Sequence, residues 1–109
     1  MRTSVDFSTT VRSGVRKGRR NLVLYAAPTA GPEPTRFGFI VAKTVGNAVV
    51  RNRVKRRLRE AAAGTVSLRP SGLNVVVRAL PASADATWTE LCADYDAALA
   101  SAFKRLDQQ

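Results

Sequence analysis

Arginine and lysine side chains crowd the middle of this chain. Between residues 36 and 59 there are eight basic residues and no acidic one, and six of the eight fall between Arg51 and Arg59. Like charges four residues apart destabilise a helix by about 0.2–0.5 kcal/mol per pair. A segment selected only for helix stability would contain interspersed glutamates, whereas the first one here is Glu60. Since guanidinium groups bind phosphate through forked N–H donors, the segment predicts a surface for a phosphate backbone.

The charge of the whole chain also favours a polyanionic partner. Its 109 residues include 18 Lys and Arg against 8 Asp and Glu, which gives a net charge of +10. Such an excess is typical of proteins that bind nucleic acid, an anionic membrane surface or an acidic protein. The charges are segregated, because residues 85–109 hold five acidic and only two basic side chains. This segregation favours a dedicated binding surface over a uniformly basic one.

Residues of the common catalytic types are scarce. The chain has no histidine and a single cysteine, Cys92, so a zinc site would need almost wholly carboxylate ligands and the nucleophile–imidazole pair is missing. No apolar run approaches the roughly 20 residues that cross a bilayer, and nothing at the N-terminus resembles a signal peptide. We therefore expect a cytoplasmic protein with no membrane partner, whose own side chains perform no chemistry.

The basic segment must be positioned by a folded domain, and the composition predicts one domain that spans residues 1–109. Apolar runs rich in β-favouring residues predict strands at 21–27, 36–43 and 73–79. The first two are expected to form an antiparallel pair joined by a proline-rich loop. The third strand carries three consecutive valines, so it is apolar on both faces and belongs in the interior of the sheet.

Three helices are predicted around these strands. A short one at 6–14 carries Phe7. The basic segment lies on a helix at 48–63, with Asn47 as its N-cap and Gly64 at its end. From about residue 87, apolar residues at a spacing of three and four predict a long amphipathic helix. We expect its apolar residues in the core: Trp88, Leu91, Cys92, Tyr95, Leu99, Ala102, Phe103 and Leu106.

A helical wheel of the basic helix separates a buried stripe from a charged arc. The stripe consists of Val50, Val54, Leu58 and Ala61, and Arg57 lies beside it and reaches around it. The opposite arc consists of Asn52, Arg53, Lys55, Arg56 and Arg59. Because this helix joins one strand to another, the elements predict an α/β (α+β) two-layer sandwich. It would have a small mixed sheet, a basic crossover helix and a C-terminal amphipathic helix.

The segment VGNAVVRNRVKRRLR at residues 45–59 resembles the signature of the bacterial ribonuclease P protein family, often called its RNR motif. The preceding FGFIVAK at 37–43 is similar to the strand that leads into that helix, and the similarity continues in order along nearly the whole chain. The resemblance implies a sandwich with a left-handed βαβ crossover. It also implies a partner RNA subunit that is itself the catalyst and uses Mg²⁺ to remove the 5′ leader of precursor tRNA.

The resemblance assigns two groups of residues by position. Phe7 and Tyr25 match aromatic positions in a cleft that holds the leader, although Phe7 would equally suit a core position. Val11 stands where family members usually have a second aromatic, and many members have a longer basic extension before Phe7. The residues that match the surface for the RNA subunit are Lys43, Arg51, Asn52, Arg53, Lys55, Arg56, Arg57 and Arg59.

Three other functions remain open from charge and pattern alone. A ribosomal or general RNA-binding protein could use the same helix without any enzyme. A DNA-binding protein could place residues 51–59 in a major groove, although no helix-turn-helix arrangement supports it. A self-sufficient nuclease would need a cluster of acidic residues for a two-metal site, and none is evident.

With the resemblance, we expect a monomeric RNA-binding subunit of ribonuclease P, with Mg²⁺ bound mainly through the RNA and substrate.

Overall fold

The computed structural model describes residues 10–12, 14–29 and 31–108. Residues 10–12 are helical, and two long helices follow later in the chain, α1 (Ala48–Leu68) and α2 (Trp88–Asp107). Single turns of 3₁₀ helix at Lys43–Val45 and Pro81–Ala84 precede them. The four strands are β1 (Val15–Gly18), β2 (Leu22–Pro28), β3 (Arg36–Ile40) and β4 (Leu73–Ala79).

The strands form one mixed sheet in the order β1-β2-β4-β3. β2 pairs antiparallel with β1 and β4, whereas β3 pairs parallel with β4. The predicted interior position of the third strand is confirmed, since β4 has a neighbour on both sides. The predicted antiparallel pair of 21–27 with 36–43 is wrong, because β4 lies between those two strands. A strand that is apolar on both faces needs partners on both edges, and β4 obtains them by separating β2 from β3.

The edge strand β1 was not predicted. Its sequence VRKG contains one apolar residue and ends in glycine, so it carries little pattern of its own. It forms because β2 offers an unpaired edge, with Val15 opposite Ala26 and Gly18 opposite Val23. At Gly14, just before the strand, a Cβ atom would lie 2.8 Å from the carbonyl oxygen of Ala26. Only glycine allows the backbone to approach β2 this closely.

Both long helices pack on one face of the sheet, which confirms the two-layer sandwich. The core between the layers takes alternate residues of β2 and β4 together with Val54, Leu58, Leu91 and Tyr95. Asn47 caps α1 as predicted, its side-chain oxygen accepting from the Val50 backbone N–H at 3.0 Å. The partly buried Val50 and Ala61 flank the stripe, and its fully buried members are Val54, Leu58, Ala62 and Thr65.

The helix α1 continues past Gly64 to Leu68, so the predicted end at Gly64 is wrong. Thr65 is buried, and its hydroxyl hydrogen-bonds the Tyr95 hydroxyl at 2.6 Å. This contact with α2 holds the last turns of α1 in place. Tertiary packing therefore outweighs the cost of about 1 kcal/mol that an interior glycine imposes on a helix.

The helix α2 begins with a capping box, in which Thr87 and Glu90 satisfy each other's backbone N–H groups. Its buried stripe starts at Leu91, so the expectation that Trp88 is a core residue is wrong. Trp88 precedes the stripe by nearly one turn, and 39% of its surface is exposed. The Cys92 thiol is partly buried, and burial raises its pKa, helped by the charges of Asp96 and Glu60. A raised thiol pKa lowers the thiolate fraction, which makes this cysteine less reactive.

Candidate nucleic-acid interface

The charged side of α1 projects away from the sheet into solvent. Arg56 and Arg59 are exposed, and so is Asn52. Lys43, in the 3₁₀ turn before the helix, is exposed as well, whereas Arg51 and Lys55 are half-buried. We call this set the basic helix face: Lys43, Arg51, Asn52, Lys55, Arg56 and Arg59. The N-cap at Asn47 and the buried stripe fix the rotation of α1, so the face keeps a constant orientation relative to the sheet.

Two further arginines of α1 contact the loop after β4. The guanidinium of Arg53 donates to the Ala84 carbonyl at 3.0 Å, and that of Arg57 donates to the Ala86 carbonyl at 3.1 Å. This last contact agrees with the prediction that Arg57 lies beside the buried stripe and reaches around it. The prediction that Arg53 lies on the solvent arc is wrong, because its side chain is half-buried against this loop. A carbonyl group is neutral and a guanidinium has five N–H donors, so both arginines keep their charge and further donors for an anion.

The opposite surface of the described part of the chain is the side of the sheet that faces away from α1 and α2. We call it the outer sheet face. In β2, Leu22, Leu24 and Ala26 belong to the core under the helices. Val23 and Tyr25 belong instead to a second cluster with Val76. The expectation that Tyr25 faces away from the helices is confirmed by this alternation, although only 6% of its surface is exposed.

Basic side chains surround this aromatic position. The strand register puts Arg16 of β1 directly opposite Tyr25 and Arg78 of β4 directly opposite Val23. Both arginines are exposed. Arg36 of β3 pairs with Asn74 on the same face. The outward residues of the four strands include no acidic side chain. The exposed basic border suits the phosphates of a single strand of nucleic acid, whereas Tyr25, Val23 and Val76 at its centre are buried.

Arg16 and Arg78 had no predicted role. Neither stands in a motif, and their common feature is the face that they share with Tyr25 through the strand register. That register was unknown while β1 was unrecognised. The other aromatic residue predicted in this area, Phe7, lies outside the described residues.

Metal-ligating side chains are dispersed in the described part of the chain. Within residues 10–12, 14–29 and 31–108, no three His, Cys, Asp or Glu side chains come together in a group that could hold a metal ion. None of the described helices combines the length and the apolar character of a membrane span. Each of the two basic surfaces, the basic helix face and the outer sheet face, can bind an extended polyanion.

Comparison with known proteins decides which family uses this arrangement. The Ribonuclease P family model matches residues 1–103. The chain belongs to the ribonuclease P protein family. It is 67% identical to the ribonuclease P protein component of Pseudarthrobacter chlorophenolicus, over 97% of this chain and 78% of the relative. It is 59% identical to that of Kocuria rhizophila, over 96% of this chain and 92% of the relative.

Solved structures of the family have the same fold. The Staphylococcus aureus RNase P protein aligns with a TM-score of 0.81 and 26% identity, covering 94% of this chain and 93% of that one. The Thermotoga maritima RNase P protein aligns with a TM-score of 0.72 at 20% identity, over 87% and 89% of the two chains. These matches confirm the fold class and the family predicted from residues 45–59. The chain is therefore a subunit of the endoribonuclease ribonuclease P, an RNA-binding protein of tRNA processing with an RNA subunit as its partner.

Proposed function

We propose that the chain binds the RNA subunit of ribonuclease P through the basic helix face and the 5′ leader of precursor tRNA through the outer sheet face. The observation that carries the proposal is the placement of two basic surfaces on opposite layers of one small domain. A protein with this arrangement can hold the catalytic RNA and the substrate at the same time. We also expect the free chain to be a cytoplasmic monomer.

The basic helix face supports docking to the RNA subunit. Its free cations, Arg56 and Arg59 among them, lie on one rigid helix and reach phosphates without breaking contacts within the protein. Arg53 and Arg57 add two guanidinium groups that loop carbonyls already hold in position. Because these side chains are partly immobilised before binding, less conformational entropy is lost when they contact a phosphate.

The outer sheet face supports binding of the leader. Its accessible part is the basic border, because the Tyr25 ring and its apolar neighbours Val23 and Val76 each expose 6% of their surface or less. Arg16 and Arg78 stand on either side of this surface and suit the phosphates of a single strand. Since phosphate contacts carry no sequence information, we expect this surface to accept leaders of any sequence.

We expect Mg²⁺ to act in the assembled enzyme while bound mainly through the RNA and the substrate. We expect no metal ligand from this chain; among the described residues, no three His, Cys, Asp or Glu side chains form a group that could hold an ion. When bound, Mg²⁺ would stabilise the charge that develops on the phosphodiester. The residues of this chain would contribute by holding RNA and leader close to that centre.

Cleavage of precursor tRNA by the RNA subunit at low Mg²⁺, with and without this protein, tests the proposal. We expect strong stimulation with the protein and no cleavage by the protein alone. The contributions of the two surfaces to binding are distinguished by comparing a precursor that has a full leader with one whose leader is cut to a single nucleotide. Arg78→Ala should weaken binding of the full-leader precursor about four- to sixfold near 0.15 M salt, the amount expected for one phosphate contact, and leave the short-leader precursor unchanged.

Arg105→Ala is the matched control, because Arg105 is an exposed arginine at the end of α2, outside both proposed surfaces. It should bind both precursors like the unmodified protein. Equal losses with Arg78→Ala and Arg105→Ala would mean that only overall charge matters, and the outer sheet face would then have no specific role. Tight RNA binding without any stimulation of cleavage would contradict the proposed function.

A further inference from the structure

A crevice opens between the edge strand β3 and the C-terminal half of α1. Its walls are the rings of Phe37 and Phe39, the helix residues Ala63 and Val66, and the side chain of Arg59, with Ala62 at the base. The two phenylalanine rings are nearly parallel, at an interplanar angle of 7° and a centroid distance of 6.2 Å. Val66 leaves 42% of its surface exposed. The crevice is therefore an accessible apolar site with one cationic wall.

The crevice continues the basic helix face. Arg56, Arg59, Ala63 and Val66 succeed one another at spacings of three and four residues, so they form one line along α1. Ala63 lies about one turn beyond Arg59, roughly 6 Å along the helix axis. A nucleotide whose phosphate contacts Arg59 can therefore place its base against Ala63 and the phenylalanine rings. The cationic half of the line would bind the backbone and the apolar half would bind the base.

Size and charge select the occupant. The crevice has a volume of about 150 Å³, and an apolar cavity of about this volume holds one benzene ring. A single six-membered ring, as in uracil or cytosine, fills that volume, whereas the second ring of a purine would extend beyond the open mouth of the crevice. A second copy of this chain is disfavoured because each copy carries a net charge of +10. An unpaired base of a polyanion matches three features of the crevice, which are its flat aromatic wall, its volume and the cationic side chain of Arg59.

We propose that the crevice formed by Phe37, Phe39, Ala63 and Val66 binds one unpaired pyrimidine base of the RNA subunit, with the adjoining phosphate on Arg59. The proposal rests on the docking of the RNA subunit to the basic helix face. It adds a site that recognises an unpaired nucleotide to a surface that otherwise contacts only phosphates. The site would fix the register of the RNA along α1, because only a position of the RNA with an unpaired base can enter the crevice.

Filling the crevice with a ring from the protein tests the proposal. Ala63→Phe places an aromatic side chain in the crevice and leaves every charge of the basic helix face in place. Loss of one stacked base should weaken binding of the RNA subunit by about 5- to 150-fold. The slope of log affinity against log salt should not change, because the number of phosphate contacts is unchanged. Ala100→Phe, at an exposed alanine of α2, is the matched control and should bind like the unmodified protein.

A second measurement identifies the base. Base-specific chemical probing of the RNA subunit should reveal an unpaired pyrimidine that the unmodified protein and Ala100→Phe protect and that Ala63→Phe leaves reactive. Val66→Ser removes part of the apolar wall without adding volume, so it should weaken binding in the same direction even if Ala63→Phe folds poorly.

The possible results separate this proposal from the function on which it rests. If Arg56→Ala weakens binding while Ala63→Phe and Val66→Ser do not, docking on α1 stands and the base site is wrong. If none of the three weakens binding, the docking face itself is wrong. A protected purine instead of a pyrimidine, or a dimer of the free protein that Ala63→Phe dissociates, would also overturn the proposal.

Discussion

Arg56 and Arg57 are adjacent arginines on the same helix, yet the structure gives them different partners. Arg56 is exposed and has no hydrogen bond to another described residue, whereas Arg57 donates to the Ala86 carbonyl at 3.1 Å. Replacing each by alanine removes the same charge from the same segment. The two substitutions should therefore have similar effects on RNA binding and different effects on stability.

The expected stability change follows from these contacts. Arg57→Ala leaves the Ala86 carbonyl without its donor, which should cost about 1 kcal/mol of unfolding free energy. That corresponds to a fall of about 4 °C or more in melting temperature for a domain near 100 residues. Arg56→Ala removes repulsion with Arg53 and Arg59 and attraction to Glu60, each worth about 0.2–0.5 kcal/mol. Its melting temperature should stay the same or rise slightly.

Affinity for the RNA subunit should fall for both variants. Each phosphate contact contributes roughly 0.7 to 0.9 to the slope of log affinity against log salt. Near 0.15 M salt, the loss of one contact corresponds to about a four- to sixfold weaker association. Thermal unfolding followed by circular dichroism and RNA titrations at several salt concentrations measure the two effects. A lower melting temperature for Arg56→Ala, or an unchanged one for Arg57→Ala, would refute the distinction between free and anchored arginines.

Two further predictions concern the helical layer. Gly64→Ala should raise the free energy of unfolding by about 0.5–1 kcal/mol, as measured by urea titration. Gly64 lies within α1, on its exposed side, and nothing stands within 4 Å of an added Cβ atom. A loss of stability would mean that α1 ends at this glycine in solution. Tyr95→Phe removes the partner of the buried Thr65 hydroxyl and should cost about 1 kcal/mol at neutral pH. Burial raises the pKa of Tyr95 from 10.0 to about 12, so its neutral form stabilises the fold fully below pH 10 and that contribution is lost as pH rises from 10 to 12. Between pH 10 and 12, the free energy of unfolding should therefore fall by up to about 1.4 kcal/mol more per pH unit in the unmodified protein than in Tyr95→Phe. Parallel pH profiles of the two proteins would contradict this interpretation.

The strand register shows how far local pattern reaches. The three valines of β4 were sufficient to predict an interior strand, because a strand that is apolar on both faces has no stable position at an edge. They contained no information on which strands would be its neighbours. The pairing of 21–27 with 36–43 was predicted from their closeness in the chain, and it failed because β4 competes for the same edges.

The helix boundaries show the same division. Asn47 was predicted as the N-cap of α1 because capping depends on a side chain and a backbone N–H only three residues apart. The end of α1 depends on Thr65 and Tyr95, which are 30 residues apart in sequence. Gly64 alone predicted the wrong end, since a contact over that distance leaves no signal in the local sequence.

The sequence by itself determined the family of this protein, through the motif at residues 45–59, and RNA binding follows from that family. The excess of arginine between residues 51 and 59 is a property of composition and spacing, and helical periodicity is enough to separate its charged arc from its buried stripe. Only the tertiary structure decided which arginines are free and which are anchored, and that Arg16 and Arg78 border Tyr25. It also decided that Phe37 and Phe39 meet α1 beside Arg59. These relations depend on strand order and on contacts between distant segments, and such contacts form only when the whole chain buries its apolar surface together.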